Sequence, residues 1–496
     1  MNRRRLIGLV LLACIALLLV IRGCLPKHQE IEPPPPSPRE VFDKSKPFIL
    51  SVVGTSENGA ATTAWLVREL NMLGSLAGLR IVTSQPDAVA RLFQVQIVYA
   101  GGTAQLKLVA PDQIVERQQS ISFADASRLQ VAKELTKQLL AFVGTRSNAS
   151  VDAALDFDAA SFQALTEAMD EITGLDSHGF TEVGQKLSHA ASVSKLERVA
   201  KQNAHNPHAL SALALGYLSV GGPDHQSLLD LAAERAQEAL SIDQDIADAH
   251  AALGLAALRR NQWVNARESF DRALTLNSNS LPTLEGLACV FADVGQLQQA
   301  ADFAQRALAL HPQNVGAQDC LNYSQPSATK FKSLTEAQKP NAALVAATIA
   351  LLNKDYAQAR QLLAAGLREP AMRSWGEPLL DAAQHPAHVS RALQNITEAA
   401  MDHRIESSQV LLAGLALRKS DFVYNRLARL RAEHEPDPTR ILWLAPAGFL
   451  RAQARFERVV TEADLPAYWH EYGRPDVCKS EPTVYGCGEL TKTKSH

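Results

Sequence analysis

A chain of 496 residues, 46% apolar and 20% charged, is long enough for several packed domains and has a globular composition. Its net charge of −3 gives no general basic face, which argues against nucleic acid as a partner. An aromatic content of 6% suits helices packed through Ala and Leu better than a β-sandwich.

The chain opens with Arg3, Arg4 and Arg5 ahead of sixteen uncharged, largely aliphatic residues, Leu6 to Ile21. With Gly23 to Leu25 the apolar run approaches the roughly 20 residues that cross a bilayer. This predicts a tail over 1–5, an uncleaved anchor over 6–25, and an orientation with the amino terminus inside. Two alternatives are a cleaved signal, for which Ile-Arg-Gly-Cys is a poor site, and a lipoprotein box at Leu11 to Cys14, past which the apolar run continues. Residues 26–45 form a linker whose four consecutive prolines, Pro33 to Pro36, enforce a stiff polyproline spacer.

Residues 46–145 read as a small α+β domain. "PFILSVVG" and "LRIVT" are short strands, separated by a helix with Trp65, Leu66, Leu70, Leu73 and Leu76 at helical spacing. Two alternating runs around Gly101-Gly102 predict a hairpin with Val95, Ile97 and Tyr99 on one face. "IVERQQSISF" supplies another strand, and 126–142 a covering helix.

From about residue 155 the period becomes helical and a longer repeat appears. Leu253-Gly254, Ala266, Phe270, Ala273 and Ser278 recur 34 residues later as Leu287-Ala288, Ala300, Ala304, Ala307 and Pro312. That is tetratricopeptide spacing, with small residues where two helices cross. An earlier unit has Leu215-Gly216-Tyr217, Ala232, Ala236 and Ala239. The repeats span 155–330; weaker helix pairs continue through 331–463, including 344–367 and 410–430; an aromatic, cysteine-bearing cap and tail fill 464–496. The fold class is therefore mostly α: a small α+β domain followed by an α-solenoid, behind an amino-terminal span.

Together these features resemble a bacterial family of single-span proteins with a TolB-like domain followed by tetratricopeptide repeats. Some members carry a winged-helix or class III adenylate cyclase domain ahead of the span. The likeness rests on the sheet segments, the repeats and a carboxy-terminal signature: Arg455, Phe456, Leu465, Pro466, Tyr468, Trp469, Gly473, Pro475, Asp476, Cys478 and Cys487. It implies a bacterial inner-membrane protein with its bulk in the periplasm. Only five residues precede the span, so the sensory or scaffold half is what carries over. In that compartment Cys478 and Cys487 are expected to form a disulfide worth roughly 2.5 kcal/mol, against a free or metal-binding pair. Trp469, Tyr468 and Tyr472 are expected to plug the exposed end of the last helical pair. Cys289 and Cys320 read as buried thiols rather than partners.

No catalytic set, cofactor motif or small-molecule site emerges. "GTSENGAA" (54–61) lacks the glycine spacing of a dinucleotide loop, so a connecting turn competes with a ligand at the helix beyond it. Ser192 to Lys195 and Ser327 to Lys330 match S-x-x-K without the motifs that accompany an acylating serine. His205/His208 and His385/His388 flank prolines, with no third ligand evident, so no metal site is expected. The repeats instead predict a groove for an unknown protein or peptide, lined by Tyr217, Leu255, Leu258, Arg259, Glu285 and Asp293. Function then reads as a non-enzymatic membrane-anchored scaffold or accessory sensor for a secretion or envelope assembly. The alternatives are the sensor half of a regulator with a separate DNA-binding chain, and a hydrolase in the α+β domain.

Overall fold

A computed structural model describes residues 42–488 apart from 55–58, 83–91, 124–125, 174–189, 221–224, 327–333, 335–337, 402–404 and positions 45, 47, 101, 434 and 437. The chain divides into two compact units, Met1–Phe42 and Asp43–His496, and all the described helices and strands belong to the second. The predicted anchor and proline spacer lie outside the described residues. Among the described residues no helix is long and apolar enough to cross a membrane.

The α+β part begins with β1 (Phe48–Gly54), α1 (Gly59–Leu76) and β2 (Ile81–Val82). It continues with β3 (Gln94–Ala100), β4 (Thr103–Val109), β5 (Val115–Ser122) and α2 (Arg128–Phe142). One five-stranded sheet has the order β2-β1-β3-β4-β5. β1 is parallel to both β2 and β3, while β3, β4 and β5 run antiparallel. The alternation seen in sequence settles the faces: Val95, Ile97, Leu106 and Leu108 are buried, as are Trp65, Leu66, Leu70 and Leu73 of α1. A capping box starts α2, Ser127 accepting from the Gln130 amide while the Gln130 side chain accepts from the Ser127 amide.

This part is fastened to the helices after it. Arg68 of α1 and Arg128 of α2 both reach Asp170, at 3.3 Å each. Ser278 donates to the carbonyl of Ile81, 197 residues earlier.

Helix pairs make up the rest: α4 (Ala159–Thr173) with α5 (Ala190–Gln202), after a one-turn-and-a-half α3 (Ala149–Ala154), then α6 (Pro207–Ser219) with α7 (His225–Ile242). α8 (Ala247–Arg259) pairs with α9 (Trp263–Leu276), and α10 (Leu281–Asp293) with α11 (Leu297–Leu310). After α12 (Val315–Ser324), α13 (Lys339–Leu352) pairs with α14 (Tyr356–Gly366). Next come α15 (Glu377–Gln384) and α16 (Val389–Met401), then α17 (Ser407–Ala416) with α18 (Ser420–Ala432). First helices of successive pairs also touch, α6 on α8 and α8 on α10, so each pair shares its apolar face with the next. The second helices turn small residues inward: Ala232, Ala236 and Ala239 of α7, Ala266 and Ala273 of α9, and Ala300, Ala304 and Ala307 of α11 are fully buried.

Four of the pairs share one turn. Asn261, Gly295, Lys354 and Arg418 are left-handed, with φ of 58°, 86°, 63° and 53°, and the second helix starts two residues after each. The next amide bonds back across the turn in every case: Gln262 to Ala257, Gln296 to Phe291, Asp355 to Ala350 and Lys419 to Gly414, at 2.8–2.9 Å. This is the 6→1 bond of a Schellman motif. The degenerate pairs after residue 331 thus keep the repeat's backbone geometry although the sequence signature has faded. Lysine suffers a steric penalty that glycine does not in this conformation. Lys354→Gly should therefore raise stability by about 0.5–1 kcal/mol in chemical denaturation.

Candidate functional site

The six residues expected to line a groove lie on the first helices of three successive pairs, Tyr217 on α6, Leu255, Leu258 and Arg259 on α8, Glu285 and Asp293 on α10. All six are buried, Tyr217 the most exposed at 8%. They do not form an open wall. Tyr217 donates to Glu197 of α5 at 3.0 Å, and burial pushes its phenol up to about 12, with Glu197 adding to the effect. Glu285 accepts from Asn314 at 2.9 Å. Burial drives the Arg259 guanidinium down to about 10, with Glu285 opposing.

Asp293, at the last turn of α10, is covered by a distant part of the chain. The 3-10 segment Thr439–Trp443 lies over it. The Asp293 carboxylate accepts from the Arg440 backbone amide at 3.0 Å and from its Nε and Nη2 at 2.9 and 2.7 Å. Burial raises the Asp293 carboxyl while Arg440 pulls it down. Burial alone would lower Arg440, but the carboxylate outweighs it and the guanidinium sits above its ordinary range. The pair is charged and mutually satisfied.

This segment, with Trp469 and Asp476 further along, uses up the orphan carbonyls at the end of α10. Thr439 and Trp443 side chains both donate to the Asp293 carbonyl at 2.7 Å. The Trp469 indole donates to the Val294 carbonyl at 2.9 Å, and the Asp476 amide to that of Gly295 at 2.8 Å. Asp476 then accepts from the Gln298 amide at 3.0 Å, capping the start of α11. Gln296 donates to the carbonyls of Tyr472 and Gly473 and accepts from the Tyr468 hydroxyl. Gly295 has room for this only because it lacks a side chain: a Cβ there would stand 2.7 Å from Pro475 Cβ and 2.9 Å from the Trp443 ring.

The docked module contains α19 (Ala454–Glu462) and α20 (Leu465–Tyr472). Trp443 packs edge-on against Phe456 and Trp469, at 5.9 and 5.7 Å between centroids. The buried Arg451 donates to the carbonyls of Leu442 and Leu444 and pairs with Glu481. The aromatic plug expected over the end of the last helical pair is thus laid instead on the turn between α10 and α11. A residue count along the repeats cannot anticipate that, because the contact spans some 150–180 positions of sequence.

Cys478 and Cys487 are joined, and Arg474 donates to the Cys487 carbonyl at 2.7 Å. The reading of Cys289 and Cys320 as free thiols is corrected: they are bonded to each other, linking α10 to α12. Their spacing in sequence hid this, since partners 31 residues apart become neighbours only when consecutive first helices pack. Arg440 lies above the bridge, its Nη1 3.5 Å from Cys320 Sγ, and over the Tyr323 ring at 5.8 Å.

Ser192 and Lys195 both bind Glu171, the ammonium at 2.6 Å, so this S-x-x-K is a tie between α4 and α5. Residues 55–58 and the whole of the second S-x-x-K lie outside the described residues. His205 is exposed and His208 buried, so that pair is split. His385 and His388 do converge, and the expectation that they lack a third ligand is corrected by Asp381, one helical turn earlier. The spacing D-x-x-x-H-x-x-H was the available signal. A separate cleft of about 780 Å³ between α2 and α3 is rimmed by Lys133, Lys137, Arg146, Asp152 and Asp156.

His208 gives a pH prediction. Its Nε2 has no partner among the described residues, and burial pulls the imidazole down to about 4, with Asp243 opposing. A histidine with a depressed folded pKa stabilises above its unfolded value and loses that contribution as pH falls through the folded one. Stability should drop by up to ~3 kcal/mol between about pH 7 and pH 4, and His208→Gln should flatten that slope in urea titrations.

No known sequence family and no curated protein matches the chain. Among solved structures it is similar to the crystal structure of the yeast Tom70, at 15% identity over 69% of this chain and 82% of that one, with a TM-score of 0.32.

Proposed function

We propose that this chain is a membrane-anchored scaffold or accessory sensor that binds a protein partner outside the cytoplasm, with its bulk in a bacterial periplasm. The carrying observation is the run of helix pairs, four of them sharing one Schellman turn, with fully buried alanines along their second helices. Such a stack presents extended helical faces to other chains. Two disulfides among the described residues support an oxidising compartment. The apolar segment 6–25 and the likeness to TolB-like, tetratricopeptide-bearing membrane proteins support the anchor and the setting in a secretion or envelope assembly.

On this reading Tyr217, Leu255, Leu258, Arg259, Glu285 and Asp293 shape the stack rather than touch the partner, which meets exposed faces. Crosslinking in intact cells and then affinity purification should recover a defined envelope protein. Recovery of a DNA-binding chain would favour the sensor half of a regulator. An alkaline phosphatase fusion after residue 488 should be active; an inactive fusion would overturn the orientation.

A further inference from the structure

We propose that Asp381, His385 and His388 form a three-ligand site for a late first-row divalent metal ion, with zinc(II) as its test probe. Asp381 lies on α15, whose Leu379, Leu380 and Ala382 are 1–2% exposed and fix the helix against its neighbours. His385 comes one turn later and stands above Asp381. Pro386 then ends the helix and opens the 3-10 turn Pro386–His388, which swings the second imidazole back beside the first. The proline that separates the two histidines in sequence is what brings them together.

The geometry suits a metal. His385 Nδ1 is 2.8 Å from one Asp381 oxygen and His388 Nδ1 lies against the other. All three ligand atoms are within 4.8 Å of one another, and the imidazole centroids are 5.5 Å apart. Tetrahedral zinc with bonds of about 2.0–2.1 Å separates its ligands by roughly 3.3 Å, which small side-chain rotations reach from here. Two imidazoles and one carboxylate favour zinc, nickel, copper or iron(II) over calcium or magnesium, which want mostly oxygen. Among the described residues, Asp381 pairs with these histidines and not with any Lys or Arg. The side chains are 48%, 60% and 55% exposed, which leaves further coordination positions open to water or to a donor from another molecule.

The test uses the full chain in detergent, stripped with chelator and titrated with zinc at neutral pH by calorimetry, with cobalt(II) absorption reporting nitrogen and oxygen ligation. The expected result is one saturable equivalent per chain, weakened at least tenfold by Asp381→Asn and abolished by His385→Ala with His388→Ala. His205→Ala should leave it unchanged, and circular dichroism should show every variant folded, since the three ligands are exposed. No saturable binding, or binding that survives the double histidine variant, would overturn the proposal.

Discussion

Asp293→Ala should cost about 3–5 kcal/mol in urea denaturation, among the largest losses available to a single substitution in this chain. The reason is not the attraction itself but what removal leaves behind. Arg440 would keep its charge in a nearly closed environment, with three of its contacts to Asp293 gone at once. Truncating the partner of a buried ion strands an uncompensated charge, whereas replacing both members by apolar groups of similar volume can be close to neutral. The double variant Asp293→Leu with Arg440→Met should therefore recover most of the loss. A single variant that loses less than about 1 kcal/mol would show that the pair is solvated and the segment around residue 440 undocked.

Phe270→Ala should lose about 3–5 kcal/mol by a different route. Phe270, on α9, is fully buried between two glycines. A Cβ on Gly254 of α8 would stand 2.6 Å from its ring, and one on Gly286 of α10 only 2.1 Å. The ring thus fills the space that two consecutive first helices leave by carrying no side chain, and deleting it opens a cavity at the seam of two repeats. Overpacking the same seam with Gly286→Ala should cost about 1–3 kcal/mol, and less when combined with Phe270→Leu. Additive losses in that pair of variants would mean that the ring and the glycine do not share one space.

These two sites mark what can and cannot be read along the sequence. The strands around Val95 and Leu106 come from strict alternation, and the repeats from small residues 34 apart, because both are local periodicities. Phe270 was visible as a member of the repeat. The turns at Lys354 and Arg418 were less so, since neither residue favours the left-handed conformation and only the backbone bonds reveal the shared motif. Long-range packing was not legible at all. Nothing in the spacing says that residues 439–476 return to the end of α10, so Asp293, assigned to an open groove, is found beneath them. Cys289 and Cys320 were misread for the same reason. His385 and His388 were discounted because of Pro386, although a 3-10 turn converts that break into convergence on Asp381.

The central structural claim is that the carboxy-terminal module closes over the turn between α10 and α11. Hydrogen exchange read by mass spectrometry measures this directly. Residues 291–298 and 439–478 should be protected together, and Asp293→Ala should release both stretches at once while α6 to α9 stay protected. Exchange of 439–478 at the rate of a free peptide in the unmodified protein, or release of one stretch without the other, would contradict it.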